Sequence, residues 1–238
     1  MRPLVRNLCI LVAAMVFISA AAGQQPAPAP SPSAERAPAF AAADVNQDGY
    51  MDVVSGPNVF MGPDFTTRQE IYVPEMYDPI SYPDPLLSSA GDVTGDGYPD
   101  VLHTGEPGRP GFLYVNPGEE VRRWEKYMVI PSVDNEVAFL DDIDGDGLKD
   151  IVTGKRWWAH FGENPTDPDA FGDPVMYWFR LVRDGDIVRF EPELINNHTG
   201  VDTDMTTADL NGDGLPDVMS ATRYGTNIFL SQPDAVAE

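Results

Sequence analysis

At 238 residues, 42% hydrophobic and 10% aromatic, the chain is long and apolar enough for one domain with a core, or at most two. Its net charge of −23 excludes a nucleic-acid-binding role, which needs basic patches. A single cysteine excludes a disulfide framework.

Residues 1–23 read as a secretion signal. Arg2 and Arg6 give a positive start, Leu8 to Ile18 an apolar core, and Ala20-Ala21-Ala22-Gly23 a small-residue exit. The apolar run is short for a span of ~20 residues, so no membrane span is expected after cleavage. Cys9 lies within the signal and lacks the small residue before it that lipoprotein processing requires. The expected location is secreted, periplasmic or at the cell surface. Residues 24–38 are rich in Pro and Ala and read as a linker with too few apolar groups to fold. Residues 39–238 form the expected domain.

That domain repeats. The first unit predicts strands at Phe40–Val45, Met51–Ser55, Val59–Met61 and Gln69–Val73. The second predicts Leu87–Val93, Asp100–Thr104, Phe112–Val115 and Trp124–Ile130. The third predicts Val137–Ile143, Lys149–Thr153, Val175–Arg183 and Asp186–Phe190, with Asp184-Gly185 as a hairpin signal. Between its second and third strands, Lys155 to Pro174 is an insertion of 20 residues. The fourth predicts three strands, Met205–Leu210, Asp217–Ala221 and Asn227–Leu230. No segment shows a long helical period. Four-stranded units at spacings of 48, 50 and 67 residues point to an all-β fold, a β-propeller of about four blades with the last incomplete. A ring, an open arc of blades, or completion by a partner strand all fit. The last strand should be an exposed edge, open to strand addition or self-association.

One nonapeptide opens every unit between its first two strands. Loop one is Asp44, Asn46, Asp48, Gly49, Tyr50 and Asp52 at positions 1, 3, 5, 6, 7 and 9. Loop two has Asp92, Thr94, Asp96, Gly97, Tyr98 and Asp100. Loop three has Asp142, Asp144, Asp146, Gly147, Leu148 and Asp150. Loop four has Asp209, Asn211, Asp213, Gly214, Leu215 and Asp217. Short carboxylates at alternate positions can converge on a hard cation that takes six to eight oxygens, with the position-7 carbonyl as a main-chain ligand. Each loop is expected to bind one Ca²⁺, up to four in all, with loop two weakest because Thr94 is neutral. An EF-hand would need Glu at position 12, where Ser55, His103, Thr153 and Ser220 stand. The alternative is an acidic hairpin without metal.

These loops, with the stretches Gly91–Asp100 and Ala208–Asp217, resemble FG-GAP or VCBS repeat proteins, the family of the integrin alpha head. The resemblance covers about Ala39 to Ser231 and implies a calcium-bound propeller whose loops join the first two strands of each blade. The third and fourth units, with Trp157-Trp158 and Tyr224 to Leu230, look like the end of large secreted bacterial proteins of this type. The chain departs from the seven-bladed integrin head in showing four units.

No catalytic constellation emerges. His103, His160 and His198 fall at different phases of the repeat and are not expected to converge. Trp157, Trp158 and His160 in the insertion either cover the end of the third blade or offer aromatics to a sugar or a partner. Asn197-His198-Thr199 fits an N-glycosylation sequon. The function expected is a binding or adhesion module for a protein or polysaccharide at the cell surface. A lyase-like polysaccharide enzyme on the same scaffold is the alternative.

Overall fold

The computed structural model describes residues 39–74, 85–158, 169–185 and 187–232. They belong to Ser33–Glu238, the second of two units into which the chain divides. The signal and linker readings, and His160, lie outside the described residues.

Fifteen strands and no helix make up the described residues. The first sheet takes β1 (Phe40–Ala43), β2 (Asp52–Ser55), β3 (Asn58–Met61) and β4 (Thr67–Glu70). The second takes β5 (Leu87–Gly91), β6 (Asp100–Thr104), β7 (Arg109–Val115) and β8 (Glu125–Val133). The third takes β9 (Phe139–Asp141), β10 (Asp150–Lys155), β11 (Val175–Asp184) and β12 (Ile187–Asn196). The fourth has only β13 (Asp204–Ala208), β14 (Asp217–Thr222) and β15 (Gly225–Phe229). Each sheet is an antiparallel meander in chain order, the pattern of a propeller blade, and the fourth is three-stranded with β15 at its edge.

Most boundaries match the sequence. The expected strand Gln69–Val73 instead leaves its ladder at Glu70. Buried Ile71 turns away from the sheet there: its N–H donates to Pro57 O at 2.7 Å and its carbonyl accepts from Trp124 N at 2.9 Å. That second bond ties blade one to blade two. Strands β8 and β12 run past Pro131 and Pro192, further than expected. Both are outermost strands, where a missing N–H breaks no ladder bond.

The core lies between blades. Val45, Val54 and Val59 of blade one meet Val101, Tyr114 and Trp124 of blade two. Leu102 and Ile130 of blade two meet Ile151 of blade three, and Val93 and Leu113 meet Leu181. Ile143 and Met176 of blade three meet Met205 and Val218 of blade four. The position-2 residues of loops one to three, Val45, Val93 and Ile143, therefore point toward the next blade. Leu210, in that position on blade four, is 47% exposed, as are much of Ile228 and Leu230. Among the described residues no apolar cluster joins blade four back to blade one.

His103, 4% exposed, sits in β6 with its ring 5.8 Å from Tyr72 and 5.1 Å from Tyr114. Burial, helped by the Lys126 charge, pushes its pKa down to about 3. It is therefore neutral in the fold, while the unfolded chain protonates near 6.5. A lowered pKa of this kind gives stability above the unfolded value that is lost as pH falls from about 6.5 toward 3. Between pH 6.5 and 4.5 the loss is about 2 kcal/mol. Replacing His103 with Phe should remove that component. Unfolding measured at both pH values would overturn the assignment if the difference between them were the same in the variant and the parent.

Candidate functional site: four aspartate loops and an aromatic cluster

The four loops share one backbone. At position 6, Gly49, Gly97, Gly147 and Gly214 have φ near +90°, a region closed to most side chains. Position 4 is left-handed too, with Gly95, Gly145 and Gly212 at φ between +77° and +86° and the non-glycine Gln47 at +60°. The turn aims its N–H groups inward. The position-6 N–H donates to a position-1 carboxylate oxygen in every loop, at 2.9 Å to Asp44, 3.1 Å to Asp92, 3.0 Å to Asp142 and 3.0 Å to Asp209. The position-7 N–H, from Tyr50, Tyr98, Leu148 or Leu215, donates to the position-5 carboxylate at 2.8–2.9 Å. The side chains at positions 1, 3 and 5 thus gather inside one turn.

Their charge differs from loop to loop. In loops one and four, the Asn46 and Asn211 amides donate to Asp48 and Asp213 at 3.1 and 2.8 Å and relieve the crowding. Loop three has no such neutral donor. One oxygen from each of Asp142, Asp144 and Asp146 lies within 4.8 Å of the other two. The Oδ1 of Asp142 is buried without a hydrogen-bond partner. Burial, with the nearby charges of Asp146 and Asp142, holds the Asp144 carboxyl above its usual range, although the Asp146 N–H works against the rise. Three crowded carboxylates and an orphaned buried oxygen are a donor set suited to a hard divalent cation.

Position 9 has a second duty that the spacing did not reveal. Asp52, Asp100, Asp150 and Asp217 are all 0% exposed. One oxygen of each accepts the position-2 N–H of its own loop: Val45 at 2.9 Å, Val93 at 3.0 Å, Ile143 at 3.2 Å and Leu210 at 2.8 Å. The other oxygen accepts an N–H from the third strand or just beyond it: Gly62 at 2.8 Å, Asn116 at 2.9 Å, Leu181 at 2.7 Å and Ser231 at 2.9 Å. Each position-9 carboxylate therefore clamps three segments of its blade. Burial pushes Asp100 and Asp150 up to about 6, against the N–H donors that pull them down. With zero exposure, none of the four is a free surface carboxylate.

A different cluster occupies the opposite end of the blades, where second strands turn into third strands. Trp157 of the insertion lies 6.1 Å from Trp158, 6.4 Å from Phe171 and 6.2 Å from Tyr224 of the β14–β15 turn, ring centre to ring centre. The Arg223 guanidinium sits 5.1 Å from the Trp158 ring centre and 5.7 Å from that of Trp157. Phe171 and Tyr224 are exposed at 66% and 54%. Trp158 and Asp169 hold φ of +40° and +47°, strained for side chains of their size. Lys155 pins the base of the insertion through the Gly172 and Asp173 carbonyls at 3.1 and 3.3 Å. Beside it, a largely apolar groove of about 440 Å³ opens between blades two and three, lined by Ile130, Tyr177, Phe179 and Pro192. Trp157 and Trp158 were legible as candidates, whereas Phe171, Arg223 and Tyr224 had no signal of their own. Of the two histidines among the described residues, His103 is buried in blade two and His198 lies on an exposed turn.

Residues 142–220, two of the four loops included, match the family model for the FG-GAP-like repeat. Residues 142–220 therefore carry an FG-GAP-like repeat. No curated protein matches this chain. Among solved structures, it is similar to an Agrocybe aegerita lectin described for specific recognition of non-reducing terminal N-acetylglucosamine. The two are 18% identical with a TM-score of 0.50, over 81% of this chain and 49% of the lectin. This chain thus spans about half of that lectin's length, and at this identity the likeness is one of fold.

Proposed function

We propose that the protein is a secreted ligand-binding module whose aspartate loops bind Ca²⁺ and whose aromatic cluster takes a carbohydrate at the cell surface. The observation that carries the binding reading is the group of half-buried Trp157 and Trp158 with exposed Phe171 and Tyr224, and Arg223 across it. Aromatic rings offer large contact area at little entropic cost, and clustered rings with a cation resemble the anchors of binding hot spots. Calcium, when bound, would neutralise the crowded carboxylates of positions 1, 3 and 5. Among the described residues the site offers no paired general acid and base, which favours a binding role over a lyase.

A glycan array probed with the purified chain tests this, with N-acetylglucosamine-terminated and acidic glycans on the panel. Binding should fall about thirty-fold or more in the Trp157→Ala/Trp158→Ala double variant, the scale of a lost hot spot. Circular dichroism confirms that the variant stays folded. Binding that survives the double substitution would place the ligand elsewhere, and a protein captured in preference to every glycan would replace the carbohydrate reading.

A further inference from the structure

Loop two is built unlike the other three. Arg183, near the end of β11 in blade three, reaches across to blade two. Its Nε donates to the Val93 carbonyl at 2.9 Å and its Nη2 to the Asp92 carbonyl at 2.6 Å. The same Nη2 lies 3.8 Å from the Asp92 carboxylate, with the Arg183 side chain 26% exposed. The guanidinium fork is thereby fixed on positions 1 and 2 of loop two.

The loop is shaped around this group. A Cβ at Gly95 would meet Arg183 Nη1 at 2.8 Å, so position 4 of loop two must be bare for the guanidinium to fit. At the same position of loop three, Gly145 faces the apolar Leu215 Cδ2, and in loop four Gly212 faces open space. Positions 1, 3 and 5 carry two carboxylates in loop two, as in loops one and four, and three in loop three, so what sets loop two apart is the fixed cation and not the carboxylate count. Arg183 brings positions 1, 3 and 5 of loop two to a net single negative charge, whereas near loop three Arg180 is hydrogen-bonded to Glu191 at 3.5 Å and Lys149 is paired with Asp141 at 3.4 Å.

We propose that Arg183 is the resident cation of loop two, taking the place that Ca²⁺ holds in loops one, three and four. The proposal rests on the calcium reading above. A fixed positive charge beside Asp92 repels an entering dication by a factor of roughly ten even at the dielectric of water, and by more in a half-buried loop. It also supplies what the metal would otherwise supply: a counter-charge for Asp92 and a tie that holds the loop's carbonyls in place. Loop two is then the part of the fold whose order does not depend on calcium, and its latch joins blades two and three.

Equilibrium titration of the full chain with calcium, counted by calorimetry and by terbium luminescence, tests this. The parent should take up about three equivalents, one for each loop other than loop two. Asp96→Asn in loop two should leave that count unchanged, whereas Asp146→Asn in loop three should lower it by one. Arg183→Gln should add an equivalent, and in chelator it should melt below the parent, with calcium restoring the difference. A count that falls on Asp96→Asn, or that stays the same on Arg183→Gln with an unaltered melting curve, overturns the proposal. No uptake by any form would instead remove the calcium reading itself, and the proposal with it.

Discussion

Replacing Asp100 with alanine is expected to destabilise the protein by about 3–5 kcal/mol. Its carboxylate accepts three backbone N–H groups, from Val93 at 3.0 Å, Thr94 at 2.9 Å and Asn116 at 2.9 Å. Alanine leaves all three donors in a site with no exposure, and each stranded donor costs about 1–3 kcal/mol before relaxation. The damage reaches further, because the Asn116 amide donates to Val45 O at 3.0 Å and so links blade two to loop one. Water entering the vacated space would recover part of the loss. Denaturant unfolding in excess chelator isolates the clamp from any metal. Asp96→Ala, on the exposed side of the same loop, serves as the reference and should cost well under half as much. If the two variants unfold alike, the buried carboxylate is not a clamp.

Calcium removal is the second large effect expected. A ligand that binds only the folded state adds RT ln(1 + [L]/Kd), about 2.7 kcal/mol per site at a hundred-fold excess over Kd. Loops one, three and four together then contribute about 8 kcal/mol. For a domain of this size each kcal/mol moves Tm by about 2–4 °C, so chelation should lower Tm by about 15–30 °C. The shift should be smaller in Asp146→Asn, since loop three has the densest carboxylates. A melting curve unchanged by chelator would mean that the packing between blades holds the fold without metal.

The blades were legible in the sequence because one loop recurs in phase and local turn chemistry brackets every strand. The recurring aspartate loop located all four first strands, although each of β1, β5, β9 and β13 ends just before position 1, two residues earlier than expected at Val45, Val93, Ile143 and Leu210, because the loop turn begins there. The limits arose where long-range contacts decide the outcome. Strand β4 ends early because Ile71 is recruited by Trp124, 53 residues away. That Asp100 and its equivalents also accept backbone N–H groups was not legible, since spacing alone does not show which donors a carboxylate meets. Arg183 carried no signal, because its partners lie 90 and 91 residues earlier. Tyr224 joins Trp157 only because the insertion of blade three and the turn of blade four emerge at the same end of neighbouring sheets.

The pairwise arrangement of the apolar clusters has a consequence for cooperativity. Blade one meets two, two meets three, and three meets four, so among the described residues the sheets interact as a linear array with nearest-neighbour coupling. In such an array stability is a sum of unit and interface terms, and an end unit is held by one interface where an inner unit is held by two. Blade four, with three strands and an uncovered Leu210, is the end with the least holding it. Opening should therefore run inward from blade four as a zipper, while blades two and three, joined by two apolar clusters and the Arg183 fork, exchange their amide protons last.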